Sequence, residues 1–576
     1  MKKKKLLTVS VGVLLVAALL FAGIPTVADD APTVHYDVLI VNGTVVDGTG
    51  APGYQADVGI TDGKIVAIGK LAKGKAERII DAEGLVVAPG FIDPHGGISI
   101  SSRDGSVRNP QCLSKIYDGV TTLISGEGSV APRPYDPDRA FCTLAEAFRL
   151  FEESGISCNY ASFVNHGKVR SFLLGNEDRE PTEAELQVMK FLVAEAMEDG
   201  ALGLASMLVY TPECYSTTEL VIELAKVAAK YGGTYRTHIR GEDIHQLEPG
   251  LGTAEMVQIC EEAGLPVVQI HFKAPGPEFY ELGMLQQTID YIDEARAEGL
   301  DVQAHLYPYM FGATGLSAII PPWEKAGLTT PEWLALLEKG TDSRARIRAE
   351  IYEEIPAPVE WFNFVMDTAG GDFSKLGFRS SPTGTNAAYV GMFFDEIAEL
   401  KGYPVPPYTL EDAIEVIFDI LIEEHGGGGL LAPAYFEESQ IELCLQQPWM
   451  AIGSDAGARD PATGGLPHPR AYGTFARVLG EYSRERGVIT LEDAVYKMTG
   501  LPCEQIGITD RGKIEVGLAG DITVFDPLTV KDKATYTEPL QYSEGIPYVI
   551  VNGVVVIDDG EHTGALPGKI LRLTEM

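Results

Sequence analysis

The sequence is poor in basic residues, with 45 Lys and Arg against 82 Asp and Glu among 576 residues, and its formal net charge is -37. A chain with this excess of negative charge repels phosphate groups, which argues against nucleic acid and against an anionic membrane surface as partners. The sequence also contains no G-x-S-x-G motif, so it lacks the nucleophile turn of an esterase. The glycine run after His425 is therefore interpreted as a loop.

Cysteine is scarce as well. The chain has 7 cysteines, an odd number, and they show no short paired spacing. This pattern does not indicate a disulfide framework, and we interpret most of these residues as small buried apolar side chains. A disulfide that joins Cys112 to Cys142 or to Cys158 stays open.

The first two dozen residues differ from the rest of the chain. Residues 2–5 are lysines, and residues 6–22 form an apolar run without a charge. This arrangement is typical of a bacterial secretory signal, so we predict a signal peptide at residues 1–28 and export to the periplasm or the extracellular space. The run is long for a cleaved signal and short for a spanning helix, so an uncleaved membrane anchor stays open. If the signal is cleaved, no stable membrane partner is expected.

Both ends of the remaining chain are rich in β-branched residues, and 45% of all residues are hydrophobic, which predicts a sizeable core. Asn42-Gly43, Asp62-Gly63 and Asn552-Gly553 each lie between two apolar runs and predict hairpin turns. We predict that residues 33–89 and 510–576 pair into one small, discontinuous β-sandwich domain. The alternative is two separate hairpins packed on the main domain.

Between these ends, apolar runs of strand length alternate with helical stretches, which predicts an α/β fold with a parallel sheet. Eight such runs predict a (β/α)8 TIM-like barrel over residues 90–509. An ionisable residue follows each run, as expected where a barrel holds its active site. These residues are His95, Glu127, His166, Tyr210, His238, His271, Tyr309 and Asp455.

A long stretch, residues 311–447, separates the seventh predicted strand from the eighth. Residues 331–339, 343–355 and 410–424 have the apolar periodicity of amphipathic helices. We predict a helical insertion that lies over the barrel mouth as a lid.

The first predicted barrel strand, residues 84–97, reads GLVVAPGFIDPHGG and brings His95 to a strand end. A metal-binding strand of this kind usually offers two histidines on one face, one residue apart. Gly97 occupies the second of these positions. The sequence therefore leaves open whether this strand contributes to a metal site.

Several segments together resemble the N-acyl-D-amino-acid deacylases (D-aminoacylases) of the amidohydrolase superfamily, from about residue 36 to the C-terminus. The segments are GVTTLISGEGSVAP, YRTHIRGE, VVQIHFKAPG, LYPYMFGATGL, AIGSDAG, HPRAYGTFARVLGEYSRERG and DRGKIEVGLAGDITVFDP. Each segment alone is a weak signal, but their combination is specific.

The resemblance implies a zinc ion bound by His238 and His271, with Glu127 at the position where some members have a cysteine. Two imidazoles and a carboxylate with an open fourth position suit a hydrolytic zinc site. The family's second, weaker metal position is left with His95 and Asp455, because Gly97 replaces a histidine. We therefore expect one ion rather than two.

The resemblance also implies a reaction. Metal-bound hydroxide attacks the amide carbonyl of an N-acyl-D-amino acid, and Asp455 acts as general base and then as general acid toward the departing amine. Lys273 and Arg470 are expected to hold the free carboxylate of this small-molecule substrate, and Tyr307 to add a hydroxyl group.

Two other functions stay open. The first is a related amidohydrolase or dipeptidase that acts on another carboxylate-bearing or cyclic amide. The second is a barrel that binds a ligand without catalysis, which Gly97 alone supports. For His166, His305 and His468, a structural role in the core and a role in the site are both open. The acyl group, the preferred side chain and the oligomeric state are not predicted.

Overall fold

The structure is a computed structural model that describes residues 35–72, 76–128, 130–242, 245–273, 275–276, 279, 281–352, 361–403, 410–432 and 436–575. Tyr36–Met576 forms one compact unit. The predicted signal peptide lies outside the described residues. Within the described part of the chain, no helix is long and apolar enough to cross a membrane.

Most of the strands are short, and β1 is the longest of those described. The strands, in chain order, are β1 (Tyr36–Val45), β2 (Tyr54–Thr61), β3 (Lys64–Gly69), β4 (Ala76–Asp81), β5 (Val86–Pro89), β6 (Phe91–Asp93), β7 (Gly96–Gly97), β8 (Val120–Ser125), β9 (Asn159–Ser162), β10 (Val164–Asn165), β11 (Gly203–Met207), β12 (Thr234–His238), β13 (Val267–Gln269), β14 (Val302–Leu306), β15 (Gly312–Gly315), β16 (Gly377–Ser380), β17 (Gly429–Ala432), β18 (Met450–Ile452), β19 (Ala456–Gly457), β20 (Ile522–Phe525), β21 (Tyr548–Val551), β22 (Val554–Asp558) and β23 (Glu561–His562).

The helices, in chain order, are α1 (Leu113–Ile116), α2 (Leu144–Ser154), α3 (His166–Leu174), α4 (Glu183–Glu198), α5 (Thr218–Lys230), α6 (Gly252–Ala263), α7 (Met284–Ala297), α8 (Thr330–Ala335), α9 (Asp342–Tyr352), α10 (Met366–Ala369), α11 (Phe394–Leu400), α12 (Leu410–Glu423), α13 (Glu438–Leu445), α14 (Arg470–Arg477), α15 (Leu491–Met498) and α16 (Gly500–Ile506). Helices α2 and α4 begin at Thr-x-x-Glu capping boxes. Thr182 accepts a hydrogen bond from the Glu185 backbone N–H, and the Thr182 backbone N–H donates to the Glu185 carboxylate. The local sequence thus determines where these helices start.

Strands from both ends of the chain form one nine-stranded sheet, in the order β23-β22-β21-β20-β5-β1-β2-β3, with β4 paired to β1. Strand β20 runs antiparallel to β5, which joins the two ends of the chain in one sheet. The predicted hairpin turns at Asp62-Gly63 and Asn552-Gly553 are confirmed, because β2 pairs with β3 and β21 pairs with β22.

The predicted hairpin at Asn42-Gly43 is wrong. Strand β1 continues through these residues, and its register against β2 shifts between Ile40 and Gly43, as in a β-bulge. Asn42 has a φ of 63°, a value that a bulge and a hairpin turn both use. The Asn42 amide also donates to Asp81 at 2.7 Å, which holds the bulge between neighbouring strands.

The predicted first barrel strand, residues 84–97, contains three short strands, β5, β6 and β7, in different sheets. Strand β5 pairs with β20, whereas β6 pairs with β8 in a parallel sheet. The chain passes from one sheet to the other at Gly90, where a Cβ atom would lie only 2.2 Å from the Thr121 hydroxyl oxygen. Glycine is required there because the two segments approach too closely for a side chain.

Parallel strands form the sheets β6-β8-β9 and β10-β11-β12-β13-β14-β18. The Phe163 N–H donates to the Ser125 carbonyl at 2.8 Å, and the Leu202 N–H donates to the Ser162 carbonyl at 3.0 Å, so the two sheets are neighbours. Crossover helices lie between successive strands in the sequence. The predicted α/β class is confirmed, with mixed sheets.

The insertion at residues 311–447 is not only helical. Helices α8, α9 and α12 overlap the three predicted helical segments, but β15, β17 and β16 also form a small antiparallel sheet. These strands are four residues each and rich in glycine, so they have no clear alternation of apolar and polar residues.

The thiols of the cysteines are free. Cys112 is therefore not joined to Cys142 or to Cys158. Cys112 and Cys158 are buried, in agreement with the expected role of these residues as small apolar side chains.

A buried carboxylate, Asp521, joins the nine-stranded sheet to the parallel strands. It accepts hydrogen bonds from the Asn159 amide at 3.0 Å, the Asn552 backbone N–H at 2.6 Å and the Arg511 guanidinium. Asp521 and Arg511 are 4% and 5% exposed. Because a buried charge without a partner is costly, this pair contributes to the attachment of the two parts.

We expect Asp521→Ala to lower the thermal unfolding midpoint, because it leaves the Arg511 charge buried without its buried partner, a loss that typically costs about 3–5 kcal/mol. The control is Asp558→Ala, which removes an ion pair to the 45% exposed side chain of Arg78. Such exposed pairs are worth about 0–1 kcal/mol. Scanning calorimetry of both variants compares the two losses, and equal midpoints would contradict the role of Asp521.

Candidate functional site

Ionisable residues lie directly after the carboxyl ends of the parallel strands. His238 is the last residue of β12, His271 lies two residues after β13, Glu127 two residues after β8, and His95 two residues after β6. Asp455 precedes β19, which pairs with β7. Since the carboxyl ends of parallel strands meet at one edge, the fold brings these side chains together.

Two of these residues have an uncommon backbone conformation. The φ angle is 37° at His271 and 48° at Asp455, in the left-handed region that favours glycine. The His271 backbone N–H donates to His305 Nδ1 at 3.3 Å, which holds the turn after β13 in place. Backbone strain of this kind persists where surrounding packing imposes it, and it concentrates at functional sites.

His238, Glu242 and His271 form a group that we call the histidine cluster. His271 Nε2 and His238 Nδ1 lie 2.8 Å apart. Glu242 Oε1 lies 3.4 Å from His238 Nε2 and 3.2 Å from His271 Nδ1. All three residues are buried, so their polar atoms face one another in place of water.

His95, Glu127 and Asp455 form a second group, which we call the carboxylate cluster. His95 Nε2 lies 2.9 Å from Glu127 Oε2 and 3.5 Å from Asp455 Oδ1. The ring centroids of His95 and His271 are 5.7 Å apart, so the two clusters are neighbours. The structure therefore divides the four predicted metal ligands between two adjacent clusters.

The electrostatics of the two clusters favour ionised carboxylates at Glu242 and Glu127 and a neutral imidazole at His271. Burial alone would raise the pKa of Glu242, but His238 and Lys273 hold it well below its usual value. Burial and the Lys273 charge lower the pKa of His271 to about 4. The pKa of Glu127 is also lowered, because the adjacent imidazole outweighs the effect of burial. These are the protonation states in which such groups bind metal ions.

The residues present fit a divalent metal ion. In each cluster, one ligand atom from every residue lies within 4.8 Å of the others. Among the described residues, the buried atoms His95 Nδ1 and Glu127 Oε1 have no hydrogen-bond partner. Imidazole nitrogens and carboxylate oxygens are ordinary ligands of zinc. Unpartnered ligand atoms of this kind support a metal cofactor.

The predicted substrate-binding cations contact these clusters. Lys273 Nζ lies 2.6 Å from His271 Nδ1 and 2.9 Å from Glu242 Oε1. Arg470 Nη2 lies 2.9 Å from Asp455 Oδ2. Burial alone would raise the pKa of Asp455, but the Arg470 charge holds it well below its usual value. Both cations are thus held next to a carboxylate.

A cavity of about 400 Å³ brings the predicted residues together. The Arg470 guanidinium lies 4.3 Å from the centroid of the Tyr307 ring in its wall. His95 does not line the cavity itself, but it contacts the lining residues Glu127 and Asp455. The predicted site residues in the wall are Glu127, His238, His271, Lys273, Tyr307, Asp455 and Arg470.

The histidines whose roles the sequence left open support neighbouring groups. His166 Nδ1 lies 3.3 Å from Glu213 Oε2, and His468 Nδ1 accepts a hydrogen bond from the Arg470 backbone N–H at 3.1 Å. The His305 ring packs 5.2 Å from the His95 ring. None of these three residues belongs to either cluster.

Glu242 is the residue of the site that the sequence analysis missed. Its position was visible, because it lies four residues after His238 in YRTHIRGE. A carboxylate at that spacing is also common on an exposed helix surface, so the pattern alone carries little weight. Its burial beside two imidazoles and Lys273 distinguishes it.

Gly97 is not required by the backbone. A Cβ atom built on Gly97 meets only Ser125, at an ordinary distance of 3.5 Å, and its φ lies outside the left-handed region. The residue lies in β7, beside the carboxylate cluster. The first atom of a side chain therefore fits at this position.

The chain is similar to known amidohydrolases. A family model described as "Amidohydrolase family" matches residues 405–557. A D-aminoacylase and an N-acyl-D-glutamate deacylase from Alcaligenes xylosoxydans xylosoxydans are each 31% identical. The first match covers 94% of this chain and 98% of the relative, and the second covers 93% and 96%.

A solved structure gives the same result. The N-acyl-D-glutamate deacylase from Bordetella bronchiseptica, complexed with zinc and a phosphonate inhibitor that mimics the tetrahedral intermediate, is 29% identical and superposes with a TM-score of 0.74. The match covers 93% of this chain and 100% of that chain. The chain belongs to the D-aminoacylase (N-acyl-D-amino-acid deacylase) family.

We expect His271→Ala to lower the content of bound divalent metal, because the substitution removes a ligand-type nitrogen from the histidine cluster. Elemental analysis of the purified protein measures this loss. The control is His425→Asn, which changes an exposed histidine outside both clusters and keeps a residue that tolerates its positive φ. Full metal content in His271→Ala would contradict the assignment.

We expect Gly97→His to raise the metal content without abolishing turnover, since it adds an imidazole beside the carboxylate cluster. Gly97→Ser is the matched control, because it adds a small side chain without a metal-binding nitrogen. Elemental analysis compares the two variants with the wild type. An unchanged metal content in Gly97→His would show that this strand does not face the metal site.

Proposed function

We propose that the protein is a zinc-dependent hydrolase that cleaves the amide bond of N-acyl-D-amino acids into a carboxylate and a free D-amino acid. The observation that carries this proposal is the meeting of two imidazole–carboxylate clusters and two buried cations in one cavity. The histidine and carboxylate clusters provide ligands for a hydrolytic metal ion, and the cations provide recognition of an anionic substrate. The D-aminoacylase and D-glutamate deacylase relatives act on substrates of this class by name.

We propose one zinc ion, held by Glu127, His238 and His271, with His95 at the second and weaker position. A bound zinc ion polarises a carbonyl oxygen and makes water a better nucleophile. Glu242 is within contact distance of both imidazoles of the histidine cluster. It orients these rings through their second nitrogen, as carboxylates beside metal-binding histidines usually do.

Asp455 is the proposed general base and acid. The Arg470 ion pair and burial leave its carboxylate ionised and oriented at the cavity wall. An ionised carboxylate can take a proton from the attacking water and deliver it to the amine nitrogen as the C–N bond breaks. The departing amine needs this proton, because an amide anion is a poor leaving group.

Lys273, Arg470 and Tyr307 are the proposed binding groups for the substrate α-carboxylate. Arg470 Nε is buried and has no hydrogen-bond partner among the described residues, so its N–H can donate to a substrate carboxylate while Nη2 stays on Asp455. The guanidinium also packs over the face of the Tyr307 ring, which makes a cation–π contact with it. Carboxylate binding would then place the adjacent amide beside the clusters.

We also propose that the parallel strands close into a (β/α)8 barrel at residues 90–509. The backbone N–H of Ser454 donates to the Asp93 carboxylate at 2.9 Å, which supports a closure between the last and the first strand. The shared sheet of both termini supports a discontinuous β-domain at residues 33–89 and 510–576. Strands β15 and β17 contribute to the cavity wall, which supports a lid role for the insertion. The proposed export of the protein is supported only by the signal-like sequence of residues 1–28.

A substrate panel tests the proposed function. We expect release of free amino acid from N-acetyl-D-amino acids by the zinc-loaded protein, because its cations and clusters match that substrate. The comparison compounds are the L-enantiomers and dipeptides, whose hydrolysis an amine-release assay measures, and hydantoins. Hydantoin hydrolysis is followed by chromatography of the ring-opened N-carbamoyl product, because ring opening releases no free amine. Hydrolysis of only dipeptides or hydantoins would contradict the proposed function and support a related amidohydrolase or dipeptidase instead. No turnover and no stoichiometric metal would support a non-catalytic barrel.

We expect Asp455→Asn to lower kcat by about 100-fold or more, since general acid–base catalysis contributes about that factor. The substitution keeps the size of the side chain but removes its capacity to take a proton. Steady-state kinetics measures the loss, and the metal content of the same preparation serves as the control. A variant that retains metal and full kcat would exclude Asp455 as the base.

A further inference from the structure

The cavity wall contains a buried lysine that the proposed chemistry does not use. Lys325 lines the cavity and is 8% exposed. Its ammonium group donates a hydrogen bond to the Ser317 carbonyl at 3.0 Å, and Ser317 also lines the cavity. One carbonyl uses one of the three N–H donors of this group, so the lysine has further donors at the wall.

Lys325 differs from Lys273 and Arg470, the other cations discussed above, because no carboxylate among the described residues pairs with it. Lys273 and Arg470 each have one within 3 Å, at 2.9 Å in both cases. No described residue forms an ion pair with Lys325. The carboxylate of the adjacent residue, Glu324, is bound to Arg346 instead. The charge of Lys325 is therefore not neutralised by any described acid.

The backbone around Lys325 is held firmly. The Asn176 amide donates to the Lys325 carbonyl at 2.5 Å, and the Tyr215 hydroxyl donates to the Pro322 carbonyl at 2.5 Å. These bonds attach the segment to the loop after α3 and to the region after β11. The lysine is thus positioned by the fold rather than carried on a loosely attached surface segment.

A second donor without an acceptor lies in the same wall. Trp361 lines the cavity, and its indole Nε1 is buried without a hydrogen-bond partner among the described residues. The Trp361 ring packs at 5.5 Å, edge to face, against Trp323, two residues before Lys325. The Trp323 indole, by contrast, donates to Glu350 at 2.8 Å. Buried indole N–H groups usually have a partner, so the exception points to an acceptor supplied by a ligand.

The physical cost of this arrangement is large enough to need a reason. Burial lowers the pKa of the Lys325 ammonium to about 8, and only the Cys214 thiol opposes this effect. A buried cation without a counter-ion destabilises the protein unless a partner binds it. A ligand carboxylate would satisfy both the ammonium and the indole N–H.

We propose that Lys325 and Trp361 bind a second carboxylate of the substrate, so that the preferred substrates are N-acyl-D-amino acids with two carboxylates. This inference rests on the proposed function, in which Lys273 and Arg470 hold the first carboxylate. The second carboxylate comes either from an acidic side chain or from a dicarboxylic acyl group. Both sources offer the same oxygen acceptors to the ammonium and the indole.

The test uses the zinc-loaded full-length protein and compares its activity on matched pairs of substrates. N-acetyl-D-glutamate against N-acetyl-D-glutamine measures the side-chain source, and N-succinyl-D-alanine against N-butanoyl-D-alanine measures the acyl source. We expect kcat/KM to favour one dicarboxylate over its neutral partner by on the order of 100-fold, as for a buried charge pair. The pair that shows the preference identifies the source.

Variants connect this preference to the two residues. Lys325→Met should lower kcat/KM for the preferred dicarboxylate by on the order of 100-fold and leave its neutral partner little changed. Trp361→Phe, which removes only the N–H donor, should lower it by on the order of 10-fold. Thermal midpoints of both variants report whether they fold.

The matched control is Lys497→Met. Lys497 is another buried lysine, 5% exposed, whose ammonium donates to the Met450 carbonyl at 3.1 Å. Burial lowers its pKa to about 8 as well, but it does not line the cavity. We expect the Lys497 variant to keep the substrate preference of the wild type.

The outcomes separate this inference from the proposed function. Equal or better hydrolysis of both neutral partners by the wild type would overturn the role of Lys325 and Trp361, while the proposed function would stand. An unchanged preference in Lys325→Met, or in Trp361→Phe if the lysine variant does not fold, would also overturn it. Failure to hydrolyse any N-acyl-D-amino acid would overturn both proposals.

Discussion

The ion pair between Asp455 and Arg470 connects the two proposed tasks of the site, which are proton transfer and binding of the substrate carboxylate. Asp455 lies within reach of His95, and Arg470 lies on the Tyr307 ring in the cavity wall. A guanidinium presents several N–H groups in one plane, so one arginine can hold the protein carboxylate and a substrate carboxylate together. In the proposed mechanism, the planar Arg470 guanidinium sets the distance between the substrate carboxylate and Asp455, the proposed proton-transferring group. Such positioning is a main source of catalytic rate.

Desolvation explains why the cations and carboxylates occur in pairs. Lys273 and Glu242 form a second buried pair beside the histidine cluster, where either charge alone would be costly. The chain as a whole carries a net charge of -37, which repels an anionic substrate at long range. Local positive charge inside the cavity therefore has to overcome this repulsion. Lys325, which has no carboxylate partner among the described residues, adds to that local charge without cancellation.

The sequence predicted the positions of the parallel strands and the residues that follow them, because apolar runs and strand ends are local signals. It also predicted the turns at Asp62-Gly63 and Asn552-Gly553. It did not predict that Asn42-Gly43 forms a bulge, since the same φ values serve both structures. The transfer of the chain between sheets at Gly90 depends on the approach of Thr121, a contact between residues far apart in sequence. The pairing of Glu242 with Lys273 depends likewise on the turns after β12 and β13, which no local pattern describes.

Charge balance bears on the number of metal ions. If the imidazoles are counted as neutral, the formal charges of the histidine cluster and Lys273 add up to zero, with -1 for Glu242 and +1 for the lysine. The carboxylate cluster and Arg470 sum to -1, from -2 for Glu127 and Asp455 and +1 for the arginine. One divalent ion between the clusters already exceeds this negative charge, and a second would be repelled by the first ion and by both cations. An added imidazole at Gly97 would bring a ligand but no negative charge. The balance therefore supports the proposed single ion, with Glu127 and the two imidazoles of the histidine cluster as its proposed ligands and His95 as a neighbour of Glu127.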